Sequence, residues 1–174
     1  MRNKSFILSL IAVFVVFAGV LASCKEDSAK SDTIKKNETR TNAGGKIILV
    51  VYFSHTGNTR EIADMIHLNT GGDISEIRAV KTYPDDYEAL KKVAKQELNS
   101  GDNPALKTKI SNIRSYNIIF IGYPIWWGTF PAPVRTFLSE NDLSGKTIVP
   151  FSTHLGSGLG RSVSDISKLC PKSR

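Results

Sequence analysis

The side chains best suited to chemistry fall in three short stretches, each following an apolar run. The first is Ser54-His55-Thr56-Gly57-Asn58-Thr59. The second is Pro124-Ile125-Trp126-Trp127-Gly128-Thr129, and the third begins Thr153-His154-Leu155-Gly156-Ser157-Gly158. The first stretch suits an anion. The hydroxyls of Ser54, Thr56 and Thr59 can donate, Gly57 lets the backbone approach closely, and N–H groups at a following helix start point at a phosphate. A nucleoside triphosphate loop would carry Gly-x-x-x-x-Gly-Lys-Ser/Thr. No lysine stands here, so a single phosphate is the expected guest. The plainer alternative is a polar turn capped by Asn58.

Adjacent indoles in one loop cannot readily both face a core. One is expected to cover a flat aromatic ligand, where offset stacking adds ~0.5–1.5 kcal/mol to area burial. Trp127 is preferred to Trp126 for that role. The third stretch, with Gly156 and Gly158, offers bare backbone N–H and C=O groups to read a ring edge, with His154 beside them. Its "GSGLG" echoes a dinucleotide fingerprint, but that pattern belongs after the first strand. Ser157 is no hydrolase nucleophile, because Leu155 stands where the elbow requires glycine. His55 and His67 have no partners that suggest a metal. The two cysteines, Cys24 and Cys170, cannot build a zinc or iron–sulfur site.

The elements that must position these loops follow from hydrophobic pattern. "KIILVVYF" (46–53) and "YNIIFIGYP" (116–124) are nearly all apolar, as strands buried on both faces should be. "DISEIRAV" (73–80) alternates and predicts a second strand, and "KTIVPFST" (146–153) a fourth. Helices are predicted between them. "NTREIADMIHLNTGG" stops at Gly71 or Gly72. "DDYEALKKVAKQELNSGD" places Tyr87, Leu90, Val93, Ala94 and Leu98 on one face behind Asp85 and Asp86. "APVRTFLSEN" and "GRSVSDISKLC" give two more. Alternating strands and helices predict an α/β fold, a doubly wound parallel sheet with helices on both faces. In such sheets ligands lie beyond the carboxyl ends of the strands, where all three stretches converge.

Residues 1–23 are expected to be a signal peptide, with Arg2 and Lys4 ahead of an apolar run. "LASC" (21–24) resembles the lipobox of bacterial lipoproteins, which makes Cys24 the lipidation site; an uncleaved anchor helix is the alternative. "KEDS" after it resembles a signal that routes lipoproteins to the cell surface. Residues 24–45 hold the lipidated cysteine and a polar tether too poor in large apolar groups to fold. The formal charge is +7, falling to about +5 without Arg2 and Lys4. Its lysines are scattered, with no aromatic interleaving, so a solvated basic surface is expected and nucleic-acid binding is not.

Together the loops resemble the flavodoxin family. "SHTGNT" is similar to its phosphate loop, and "GYPIWWGTFPAPVRTFL" and "STHLGSGLGRS" are similar to the two ring-clasping loops of a bacterial flavodoxin-like branch. The resemblance covers residues 46 to about 170 and implies strand order 2-1-3-4-5 with noncovalent FMN. It implies that Ser54, His55, Thr56, Gly57, Asn58 and Thr59 surround the phosphate. Pro124, Ile125, Trp126, Trp127 and Gly128 would then border the ring on one side, and Thr153, His154, Gly156, Ser157 and Gly158 on the other. Stacking on Trp127 should lower the flavin potential, and Gly128 is the residue most able to reorient its peptide beside the ring.

Three departures stand out. Leu155 replaces a usual glycine, the domain is basic where electron-carrying flavodoxins are acidic, and the flavodoxin-like domain, residues 46–174, is expected to be incomplete at its C-terminus, without a fifth strand and helix. Strand four is therefore expected to be an exposed edge. The leading expectation is an FMN-binding redox protein, lipid-anchored in the bacterial cell envelope, exchanging electrons with a partner protein or a small donor or acceptor. Two alternatives remain open: an NAD(P)H-dependent flavin reductase acting on quinones, and a flavin-free surface lipoprotein serving as a binding module.

Overall fold

A computed structural model describes residues 45–174, so the expected signal peptide, the expected lipidation site Cys24 and nearly all of the expected tether lie outside the described residues. Four strands, β1 (Ile48–Tyr52), β2 (Asp73–Glu76), β3 (Ile118–Pro124) and β4 (Thr147–Thr153), form one sheet in the order β2-β1-β3-β4. Every pairing is parallel. The helices are α1 (Asn58–Thr70), α2 (Tyr87–Ser100), α3 (Ala132–Glu140) and α4 (Ser162–Leu169).

The two-residue period of a strand sends successive side chains to opposite faces. In β1, Leu49 and Val51 join Leu90 of α2, Val134 and Phe137 of α3 and Ile166 of α4 in the larger core. Val50 and Tyr52 join Ala63 of α1 in the smaller one. All five residues of β1 are buried, which explains the unbroken apolar run.

The helix punctuation follows local chemistry. Gly71 ends α1 at φ 68° and donates its N–H to the His67 carbonyl. Asp86 caps α2 by accepting the Ala89 N–H at 2.8 Å. Pro133 sits in the first turn of α3, where its missing N–H is no loss.

One expectation is corrected and one element is added. The second strand is half its predicted length: beyond Glu76 and Ile77 the chain leaves the sheet, and Arg78 to Val80 bond instead to Ala105 and Lys107. A 3₁₀ turn at Ile113–Ser115 leads into β3 and was not predicted.

The first four positions of the expected strand order are all present, and no fifth strand or helix lies among the described residues. The outer edge of β4 is nonetheless engaged at its start. Arg174 donates its N–H to the Lys146 carbonyl and accepts the Ile148 N–H, both at 2.9 Å, in the pattern of a parallel bridge. Pro150 lies two residues further along that edge and has no N–H to offer, which blunts it. Phe151 lies across Gly122 so closely that a Cβ there would collide with its ring.

Candidate functional site

The carboxyl ends of β1, β3 and β4 open into a crevice of about 730 Å³. Its lining includes His55, Thr56, Asn58 and Thr59 from the first loop, and Pro124, Ile125, Trp126 and Trp127 from the second. Thr153, His154, Leu155 and Ser157 line it from the third. The three predicted stretches therefore meet. The first and third are joined directly, the hydroxyls of Thr59 and Thr153 lying 2.8 Å apart with Thr59 almost wholly buried, and the Ile125 N–H ties the second to the Thr153 carbonyl at 2.9 Å.

In the first loop, Ser54 faces inward and accepts the Gly57 N–H at 3.1 Å, holding the turn rather than lining the crevice. Gly57 precedes α1 at φ 93°, a left-handed conformation that glycine adopts without a Cβ penalty. Asn58 does not cap the helix. No side chain caps α1, and the Asn58 side chain donates to the Thr56 hydroxyl instead. The N–H groups of Asn58, Thr59 and Arg60 have no hydrogen-bond partner among the described residues. Uncapped N–H groups at a helix start, with the Thr56 hydroxyl accepting from Asn58 and so keeping its own proton to donate, suit an anion.

The indoles divide their work. Trp126 packs edge-on against Phe53, Tyr83 and His55, with centroids 5.5, 5.4 and 6.0 Å away. Behind it Tyr83 donates to the buried Glu97, which also pairs with Lys81. Trp127 is 43% exposed. Its Nε1 donates to the Lys91 carbonyl at 3.1 Å, and the Lys95 ammonium sits 4.5 Å from its ring centroid. Trp126 and Thr129 exchange backbone hydrogen bonds around Trp127 and Gly128, which have φ values of 50° and 78°. That is a two-residue hairpin with positive φ at both central positions, as a type I′ turn requires.

In the third loop, His154 Nδ1 accepts the N–H groups of Gly156 and Gly158, at 3.1 and 3.2 Å. The imidazole thus organises its own loop, and Nδ1 is not turned toward a ligand. Gly156 and Gly158 shape this turn with positive φ and are not lining residues. Leu155 lines the crevice and is fully exposed.

Sequence reasoning missed the fourth wall. Tyr87, Leu90, Lys91 and Ala94 of α2 also line the crevice. The signal was present as helical spacing, but Leu90 and Ala94 are equally what a core face requires, so nothing marked them as site residues. No cluster of His, Cys, Asp or Glu among the described residues could hold a metal.

Beneath the hairpin, Asp165 of α4 accepts the Thr129 hydroxyl at 2.8 Å and Arg161 Nε at 3.0 Å. Burial raises its carboxyl pKa, but the hydrogen bonds from Thr129, Arg161 and Lys168 outweigh burial and hold it below the ordinary carboxylate value.

A family model described as Flavodoxin matches residues 47–174. The chain belongs to the flavodoxin family. Among solved structures, this flavodoxin is 37% identical to a candidate flavoprotein from Bacteroides eggerthii, covering 74% of this chain and 85% of that one at a TM-score of 0.68. It is 30% identical to a second, from Bacteroides uniformis, with the same coverage and a TM-score of 0.66. A flavoprotein from Lactobacillus acidophilus, solved in complex with FMN, shares the fold at 22% identity and a TM-score of 0.68, over 74% and 89% of the two chains. No curated protein matches this flavodoxin.

Proposed function

We propose that this flavodoxin binds FMN noncovalently in the crevice and transfers electrons through it. The observation that carries the reading is the link between an anion seat and an aromatic wall. The uncapped start of α1 meets the β4 loop through Thr59 and Thr153, while Trp127 stands across the same crevice. A planar ring bearing one phosphate ester fits both features. The FMN complex of the Lactobacillus acidophilus relative supports the choice of ligand.

The flavin, when bound, supplies reversible electron chemistry; the protein tunes it. Thr56, Asn58 and Thr59 hold the phosphate through N–H and hydroxyl donors. Trp127 offers an indole face, which favours the oxidised ring, while the nearby Lys95 ammonium favours the reduced one. Residues 153–158 border the ring edge. A partner protein or small molecule exchanges the electrons, and Cys24 carries a lipid that holds the domain at the bacterial envelope.

Purified full-length protein should be yellow with equimolar flavin, and should bind riboflavin far more weakly than FMN. A folded, colourless protein that ignores added FMN overturns the reading and leaves a flavin-free binding module.

A second reading, NAD(P)H-dependent reduction of quinones, is favoured by the α2 wall. Tyr87, Leu90 and Ala94, beside a Lys91 that pairs with Glu88 at 3.0 Å, give a second planar molecule a largely apolar surface. Stopped-flow mixing with NADPH separates the two: rapid bleaching of the flavin marks a reductase, and an unchanged spectrum an electron carrier.

A further inference from the structure

We propose that Asp165 is a positioning residue for the Trp126–Thr129 hairpin, clamping it to the start of α4 so that one peptide unit faces the flavin in a fixed frame. The proposal rests on the FMN reading for its redox consequence and on geometry for the clamp itself.

The hairpin is held from both sides. The Gly128 carbonyl accepts the Arg161 N–H at 2.8 Å, and the Thr129 N–H reaches the Trp126 carbonyl at 3.1 Å. The Gly128–Thr129 peptide is therefore fixed at both ends. Thr129 is 2% exposed, and its hydroxyl donates to the same Asp165 oxygen that receives Arg161 Nε. Asp165 in turn donates its own N–H to the Arg161 carbonyl at 2.9 Å. Gly160 completes the contact: a Cβ there would strike the Gly128 carbonyl, so α4 can begin this close only with glycine. Below, Tyr123 of β3 donates to the Ser162 hydroxyl at 3.2 Å, fixing α4 to the sheet.

One unit is left out. The Trp127 carbonyl and the Gly128 N–H have no hydrogen-bond partner among the described residues. The clamp thus immobilises the peptide on one side of the Trp127–Gly128 peptide, which lies beside the lining indole, and leaves that peptide itself available. Trp127 at φ 50° also needs such a frame, since a left-handed non-glycine residue persists only where its surroundings over-determine it. A helix-surface ion pair between Arg161 and Asp165 would explain part of the arrangement. It does not explain why a buried threonine in the hairpin spends its hydroxyl on the same carboxylate.

Three variants of the full chain separate positioning from charge: Asp165→Ala, Asp165→Asn and Thr129→Val. The two-electron midpoint potential and the FMN dissociation constant are measured for each. Positioning predicts that Asp165→Ala and Thr129→Val change the ratio of reduced to oxidised FMN affinity in the same direction by about tenfold, or ~30 mV. Asp165→Asn, which keeps an acceptor for Thr129, stays closer to wild type. A shift shared by both Asp165 variants and absent from Thr129→Val overturns positioning in favour of charge. Amide exchange in the flavin-free protein tests the clamp separately. The backbone amides of positions 161 and 129 should exchange about tenfold faster in Asp165→Ala and Thr129→Val, and unchanged rates overturn the clamp even if the protein takes no FMN. If Asp165→Ala does not fold, Thr129→Val decides by both measurements.

Discussion

At Trp127 the backbone takes a conformation that bulky residues rarely hold, with φ at 50°. A Cβ in that region costs roughly 1–2 kcal/mol. Comparing Trp127→Gly with Trp127→Ala isolates this cost, because both variants lose the bond to Lys91 and the contact with Lys95. The glycine variant should be the more stable by about 1 kcal/mol in chemical denaturation; equal midpoints would show that the turn relaxes freely. The residue types of the site were legible in the sequence, and their duties only partly so. The adjacent tryptophans implied one packing and one available indole, which is how Trp126 and Trp127 divide. The inward turn of Ser54 and the engagement of His154 Nδ1 with Gly156 and Gly158 were not legible. Both depend on side-chain direction within a loop, which no periodicity encodes.

Among the elements, α2 departs furthest from what its sequence announces. Its amphipathic pattern identified a helix packed on a sheet, and its Asp86 cap was foreseen as an acidic start. Its role as a crevice wall was hidden, because the first two turns face the site while later residues such as Glu97 enter the interior. Removing the cap should weaken both. Asp86→Ala is expected to cost about 1 kcal/mol of stability by urea unfolding, with Asp86→Asn retaining most of it. If the two variants unfold alike, the side chain is not what caps α2. The strands show the opposite balance. β1 and β3 were legible as unbroken apolar runs, the pattern of strands covered on both faces, which is complete in β1 and partial in β3. The end of the second strand was not, because Arg78 to Val80 are drawn away by backbone partners near residue 105 that lie far along the chain.

For the whole molecule, stability should be confined from both sides of the pH scale. Burial raises the Glu76 carboxyl, but hydrogen bonds from Arg60 and Arg78 outweigh it and leave the pKa lowered. Asp165 is lowered in the same manner. Stability from these groups is complete above the unfolded carboxylate values, near ~4, and is lost as pH falls through their folded values. Burial and the Asp73 carboxylate push the Tyr116 phenol up to about 12. Burial, with Glu97 opposite, raises Tyr83 still further. Their contribution is complete below the ordinary phenol value of ~10 and disappears as pH rises through the folded ones. Thermal midpoints should therefore be level across neutrality and fall at both extremes. Tyr116→Phe should blunt the alkaline fall, and an unaltered alkaline limb would exclude that phenol as its source.

The chain contains only two tryptophans, and both line the crevice. One lies against a cluster of rings and the other under an ammonium group, so their emission should differ in colour and in quenching. Selective excitation of indole therefore illuminates the ligand chamber and no other part of the fold. The protein carries its own optical probe for filling, emptying and loosening of that chamber, without any label being attached.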